Sequence, residues 1–306
     1  MVRIGLIGIG SMGRNHARVL YELGVLACVC DIDKKKVVNL LEKYDVAGYT
    51  SVDKMISAEK LDGVVIATPT STHVELAEKA LKKGLHVLVE KPLTLTYGEG
   101  ARLAEKARET GAVLGVGYVE RFNPVVGVLD RIVRESGHPI LLEFSRENIR
   151  PERIKDVGVV FDTMVHDIDL ARYMFASNPL SVYARIRGDG PEEMAVTLLE
   201  FSDGLASLVA SWRSTEKYRK LRATFKDRVI ELNFIGREAI EIKKGERSHI
   251  PVEDEEPLKR EDRCFVEAIE GKSRFPVDVN DGLWATKVAE AVLLSGKTGI
   301  PIYLSR

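Results

Sequence analysis

Val2-Arg3-Ile4-Gly5-Leu6-Ile7-Gly8-Ile9-Gly10-Ser11-Met12-Gly13 is the stretch whose reading decides the fold. Val2, Ile4, Leu6 and Ile7 make a short apolar run suited to a buried strand. The chain then turns through Gly8–Gly13, and residues 14–23 continue with helical spacing. A second apolar run, 25–30, ends on Asp31, eighteen residues beyond Gly13. Strand, glycine turn, helix, strand and acid in that order are what a dinucleotide site requires. Gly8 allows the tight turn, Gly10 lets backbone N–H groups approach a pyrophosphate, and Gly13 lets helix and strand pack closely. Ser11 and Met12 open the helix, whose N-terminal partial charge faces the diphosphate. Asp31 is placed to accept hydrogen bonds from the adenosine ribose hydroxyls. A plain glycine turn would explain the glycines but not the acid.

Outward from this unit, 33–44 reads as a helix with Val37, Val38, Leu40 and Leu41 on its apolar face. Lys34, Lys35 and Lys36 suit a 2′-phosphate, but Asp31 repels one, so NAD is expected, with NADP as the alternative. A strand at 46–49 and a short helix at 51–57 follow. Residues 61–67 form a nearly continuous apolar run, as in a parallel strand buried on both faces. The run ends in Thr68-Pro69-Thr70-Ser71-Thr72-His73, at a strand end where open α/β sheets bind ligands. Thr68, Pro69 and His73 are therefore cofactor candidates. The alternatives are N-capping by the hydroxyls and a satisfied structural histidine. A strand at 86–89 stops at Glu90-Lys91-Pro92, which places Lys91 to reach into the same crevice; a solvated turn lysine is the alternative. A helix at 96–110 and a strand at 113–118 complete an alternation that implies a doubly wound parallel sheet.

The pattern changes after Tyr118. Glu120-Arg121-Phe122-Asn123-Pro124 leads a bridging helix to 136, and 141–147 alternates as a strand. A polar connection, 148–160, precedes a helix at 161–175. Strand-like runs follow at 180–187, 194–201, 206–212, 221–226, 229–234 and 239–243, implying a mostly antiparallel open sheet. Helices at 258–270 and 281–294 and a strand at 300–304 finish the chain. Two domains are expected, 1–120 and 121–306. Lys220, Arg222 and Lys226 give one strand a basic face, either solvated or attractive to a diphosphate. Glu253–Glu256 before Pro257 suit a helix N-terminus. Asp162, His166 and Asp169 share one face of the helix at 161–175, and Asp162 can orient His166 at i, i+4. Alone, the trio reads equally as a surface cluster.

With 45% apolar and 30% charged residues and a net charge of −1, nothing points to nucleic acid or an anionic membrane. No apolar run approaches the ~20 residues of a membrane span. The chain opens on a strand rather than a signal peptide, so a cytoplasmic location is expected. Cys28 and Cys30 alternate on one strand and Cys264 is remote; free thiols and no metal site are expected.

Taken together, the chain resembles the glucose–fructose oxidoreductase/inositol dehydrogenase (Gfo/Idh/MocA) family over essentially its full length. The resemblance rests on Gly8–Gly13 with Asp31, Ala67-Thr68-Pro69 through His73, Glu90-Lys91-Pro92, and Asp162 with His166 and Asp169. It implies a Rossmann domain holding NAD, with Glu90 and Lys91 at the cofactor, and an α+β substrate domain. It also implies hydride transfer between a sugar-like ring carbon and NAD(P), and a homodimer or homotetramer through the C-terminal sheet. In this reading His166 accepts the hydroxyl proton and Asp162 orients it or binds an adjacent hydroxyl. Lys91 donates to the same oxygen.

Glu120–Pro124 and Asp156-Val157-Gly158-Val159-Val160 look most like the branch acting on nucleotide sugars such as UDP-N-acetylglucosamine at C3. Many other members carry a glycine cluster before the aspartate; here only Gly158 stands there. Tyr118, Arg121 and Asn123 join Lys91, Asp162 and His166 as substrate candidates. Arg150, Arg153 and Lys155 either meet a diphosphate or are solvated loop cations. An inositol or free-aldose dehydrogenase is the alternative within the family. A non-catalytic NAD-binding sensor is the alternative outside catalysis, and it would have no need of Lys91, Asp162 and His166 together.

The chain has no glutamine and abundant Lys, Arg and Glu, a composition typical of proteins from very hot environments. A thermal melt should have its midpoint well above the roughly 45–65 °C of mesophilic domains. A midpoint inside that range would remove the thermophilic reading.

Overall fold

The computed structural model describes residues 1–151, 154 and 157–305. Apolar strands and amphipathic helices alternate as β1 (Ile4–Ile7), α1 (Ser11–Glu22), β2 (Leu26–Cys30), α2 (Lys34–Leu41), β3 (Ala47–Tyr49) and α3 (Val52–Ala58). The alternation continues with β4 (Gly63–Ile66), α4 (His73–Leu81), β5 (His86–Glu90), α5 (Tyr97–Thr110) and β6 (Leu114–Gly117). Then come α6 (Pro124–Ser136), β7 (Leu141–Ile149), a π-helical turn (Val160–Met164) and α7 (Val165–Phe175). A run of strands follows: β8 (Ser181–Arg187), β9 (Met194–Glu200), β10 (Leu205–Ser211), β11 (Arg213–Thr224), β12 (Val229–Asn233), β13 (Glu238–Lys243) and β14 (Glu246–Ile250). The last elements are α8 (Pro257–Ile269), α9 (Val279–Thr298) and β15 (Ile302–Tyr303).

The first six strands form one parallel sheet in the order β3-β2-β1-β4-β5-β6. β1 and β4 are buried at every position, as their unbroken apolar runs require. Side-chain caps define where helices begin. Asp33 accepts from the Lys35 N–H, Ser51 from the Lys54 N–H, and Thr96 forms a reciprocal capping box with Glu99. Cys28 and Cys30 are buried free thiols, and burial pushes them up to about 12 and about 11.

The remaining nine strands form a sheet in the order β14-β13-β12-β11-β7-β10-β9-β8-β15. Its β7–β10 pair is parallel and its other pairs are antiparallel. The guanidinium of Arg146 on β7 lies under this sheet. It donates to Asp167 Oδ1 at 2.9 and 2.8 Å and to Glu120 Oε1 at 2.6 Å, all three residues being buried. Burial pushes Asp167 up despite Arg146, whereas Arg146 and Arg219 outweigh burial at Glu120 and hold it below the usual range. Removing one partner of such a buried pair typically costs about 3–5 kcal/mol.

The chain divides into two compact units, Met1–Val119 with Glu256–Leu283, and Glu120–Glu255 with Trp284–Arg306. A single cut at 120/121 does not describe this, because the segment from Glu256 returns to the first unit. There α8 packs along α1, Phe275 lies against Gly115, and the Val277 carbonyl accepts the Val116 N–H. Three further elements differ from expectation. The strand expected at 221–226 begins at Arg213, β14 was not anticipated, and the helix expected at 161–175 opens with a π turn. No helix among the described residues is long and apolar enough to cross a membrane.

Candidate functional site

The glycine turn joins β1 to α1 by direct backbone contact. Gly8 has φ +94°, and a Cβ there would stand 2.6 Å from the Ala67 carbonyl oxygen; a Cβ on Gly13 would overlap the Gly8 carbonyl oxygen. Only glycine fits either position. At Gly10 the nearest protein atom to such a Cβ is 3.8 Å away, so what a side chain would fill there is the space before the helix. α1 starts at Ser11 with no side-chain cap and no acid in its first turn, which leaves its dipole available to an anion. Ser11 is exposed and Met12 half-buried. Asp31 accepts the Ile9 N–H at 2.7 Å and the Asp33 N–H at 2.9 Å, with Lys36 Nζ 3.6 Å away. These bonds hold the carboxylate against the turn, as a dinucleotide cradle needs.

The loops after β4 and β5 are tied together by His73. It is buried, with Nδ1 2.9 Å from the Pro92 carbonyl oxygen and Nε2 3.0 Å from the Thr68 carbonyl oxygen; burial lowers its pKa, and the single N–H of the neutral ring donates to one of the two. These contacts give His73 a structural role between the two loops, while Thr68 and Pro69 stand at the strand end. Lys91 is half-buried and precedes a cis proline. Glu90 is buried instead of open to a ligand. Its Oε2 accepts the Lys91 N–H at 3.2 Å and its Oε1 meets His16 Nε2 at 3.1 Å. His16 Nδ1 in turn meets both oxygens of Asp262 at 2.8 and 3.1 Å, and Glu261 faces the same imidazole.

In the second unit the π turn carries Asp162 and α7 carries His166, both half-buried. The Trp212 indole N–H donates to Thr163 Oγ1 at 3.2 Å, and that hydroxyl donates to Asp162 Oδ2 at 3.1 Å. Arg150 donates to Glu193 at 2.5 Å and lies 5.9 Å over the Trp212 ring; Arg213 also pairs with Glu193. Gly158 is needed where it stands, because a Cβ would overlap the Glu192 carboxylate, which accepts the Val160 N–H at 3.2 Å. Burial pushes Glu192 up.

Three substrate candidates turn out to be internal. Arg121 holds Asp169 through two bonds of 2.7 and 2.6 Å and stacks on Tyr173. Asn123 caps α6 at Val125 and donates to Glu120 at 3.1 Å. Tyr118 is fully buried. Arg153, with Lys155 and Asp156, lies outside the described residues. The sequence reading missed His16, Glu261, Asp262, Thr163 and Trp212. A signal for the first three existed: each is polar at a position where an amphipathic helix places its core.

A fold of this order with this glycine cradle defines a dinucleotide-dependent enzyme class, and comparison with known proteins names it. Residues 2–118 match the oxidoreductase family with an NAD-binding Rossmann fold (Gfo/Idh/MocA), and residues 132–236 match the family's C-terminal domain. UDP-N-acetylglucosamine 3-dehydrogenase of Acidithiobacillus ferrooxidans is 32% identical over 76% of this chain and 74% of its own length. The scyllo-inositol 2-dehydrogenase (NAD+) of Bacillus subtilis is 32% identical over 72% and 70%. The solved structure of the Acidithiobacillus enzyme matches with a TM-score of 0.91 and 28% identity, covering 97% of this chain and 98% of that one. The chain belongs to the Gfo/Idh/MocA oxidoreductase family. It is an NAD-dependent dehydrogenase of the kind that acts on sugars and polyols.

The charges around His16 have a consequence for stability. Burial alone would lower His16, but Asp262 and then Glu90 raise it well above its ordinary value, so it is a cation at neutral pH. Burial, reinforced by Glu90 and opposed by His16, raises Glu261 well above 4.5 and so favours its neutral carboxyl. Unfolding lets Glu261 ionise, so folded stability falls as pH rises from about 4.5 through its raised value. Glu261→Gln should therefore melt higher than wild type at pH 8 and equal to it near pH 4.5. A variant that melts lower than wild type at pH 8 would mean that Glu261 is ionised in the fold.

Proposed function

We propose that this protein oxidises a secondary hydroxyl of a nucleotide sugar with NAD, the substrate being UDP-N-acetylglucosamine and the position C3. The observation that carries this reading is the match to the Acidithiobacillus UDP-N-acetylglucosamine 3-dehydrogenase structure, which extends over both units of the chain at TM-score 0.91. Arg150 and Arg213, both exposed and paired with Glu193, add cations near the turn bearing Asp162, which suits a diphosphate. The Asp31 carboxylate, held at the glycine turn by the Ile9 N–H, would repel a 2′-phosphate there, which favours NAD over NADP.

In this proposal His166 takes the proton of the substrate hydroxyl. Lys91 donates a hydrogen bond to that oxygen and stabilises the negative charge it develops. Asp162, steadied by Thr163 and Trp212, orients the imidazole or binds a neighbouring hydroxyl. When bound, NAD supplies the hydride acceptor. The second reading is an inositol dehydrogenase, favoured by the equal 32% identity to the Bacillus scyllo-inositol enzyme.

We also propose a homo-oligomer formed through the C-terminal sheet. Tyr183, Met194, Val196, Leu198 and Leu205 are exposed, and strand register places them on one face of β8, β9 and β10. Light scattering that gives a monomer would remove this part.

NADH formation measured with UDP-N-acetylglucosamine, myo-inositol, scyllo-inositol and glucose tests the substrate. The nucleotide sugar should turn over fastest; preference for an inositol would select the second reading. Lys91→Ala and His166→Ala should each lower kcat by about 10²-fold or more with NAD affinity nearly unchanged. Near-normal turnover in both would overturn the assigned roles.

A further inference from the structure

His16 lies on the inner face of α1, the helix whose first turn forms the glycine cradle, and its side chain is wholly buried. Its two nitrogens are divided between two carboxylates, Asp262 on α8 and Glu90 at the end of β5. Glu90 is divided in the same way: one oxygen meets His16 and the other accepts the backbone N–H of Lys91. The contacts therefore form one unbroken line from α8 through α1 to the residue that carries the ammonium. We propose that Asp262, His16 and Glu90 form a buried relay that fixes the backbone of Lys91, making His16 a positioning residue for the reaction. This inference rests on the reading of Lys91 as the group that binds the reacting oxygen.

The charges favour such a role. Two elements turn acids toward the imidazole: β5 contributes Glu90, and α8 contributes Asp262 and Glu261, with Glu256 farther off at the start of α8. An imidazolium between Asp262 and Glu90 satisfies both carboxylates with its two N–H donors, and a buried ion pair of this geometry is directional. Glu261 is the third acid. Both of its oxygens are buried without a hydrogen-bond partner among the described residues, so as an ionised group it would have no donor to replace water. Its neutral form leaves the imidazolium to the other two. Removing the imidazole would leave Glu90 as a buried charge without its donor on α1. The carboxylate would then have to turn toward another donor, and that movement releases the Lys91 N–H. The same line explains why the chain returns to the first unit at α8: the return places Asp262 behind His16.

The test is a double-mutant cycle read as NAD-linked oxidation of UDP-N-acetylglucosamine, with amide hydrogen exchange of the peptide containing Lys91 as a second arm. His16→Leu should lower kcat about 10-fold with the Kd for NAD within about twofold. His16→Gln, whose amide can still donate to Glu90, should recover to within about threefold of wild type. In a Lys91→Ala background His16→Leu should change the residual turnover by less than about twofold, because a positioning effect has nothing left to position. Exchange at the Lys91 amide should be about 10-fold faster in His16→Leu.

An equal loss in both backgrounds, an unchanged kcat, or unchanged exchange would overturn the relay. So would a stoichiometric divalent cation that is bound by the purified protein and lost in His16→Leu, since Glu90 would then be held by the ion. If His16→Leu does not fold, Asp262→Asn carries the same cycle with the same signs. If Lys91→Ala turns over normally, or the nucleotide sugar is not oxidised, the reading of Lys91 or of the substrate has failed, and the exchange arm alone decides the relay.

Discussion

The backbone of α1 touches the end of β1, and the dinucleotide-binding half of the protein depends on that contact. A single methyl group on Gly13 would overlap the Gly8 carbonyl oxygen, and one on Gly8 would press on Ala67. The close approach aims the uncapped N-terminus of the helix over the strand ends. It also brings Ile9 to the Asp31 carboxylate. A larger residue would lift the helix off the sheet and separate the glycine turn from the Asp31 carboxylate.

Buried charge does comparable work in each unit, under the residues assigned to chemistry and not at them. In the first unit the pair of His16 with Asp262 and Glu90 lies directly behind Lys91. In the second, Arg146 joins Asp167 on α7 to Glu120, and Arg121 grips Asp169 one turn beyond His166. Desolvated charges contribute little net stability, but they are directional, and a mispaired arrangement is costly. The helix bearing His166 is thus held from its inner side by two arginines, which fixes its rotation more closely than apolar packing would.

Much of this architecture was legible in the sequence. Unbroken apolar runs such as 61–67 and the glycine turn marked the parallel sheet, because a strand buried on both faces has no room for polar residues. The alternation in Met194–Glu200 marked a strand with one face open. What escaped had physical reasons. β14, Glu246–Ile250, is an exposed edge strand with almost no apolar signal. The return of α8 to the first unit joins residues more than two hundred positions apart, which no local period records. The π turn depends on Gly158 admitting the Glu192 carboxylate, a tertiary contact. Among the residues proposed for the site, Lys91, His166 and Asp162 came from their motifs. The bonds of Arg121 to Asp169 and of Asn123 to Glu120 are not written in any motif, and His16 was hidden among the core positions of its helix.

The central claim is that the hydrogen lost from the sugar carbon passes to NAD. Its most direct test uses UDP-N-acetylglucosamine deuterated at C3 and mass spectrometry of the reduced cofactor. The account expects reduced NAD to carry one deuterium per turnover, with a slowed rate when the chemical step limits. Reduced cofactor without deuterium, or with label only from a sugar deuterated at another carbon, would contradict it.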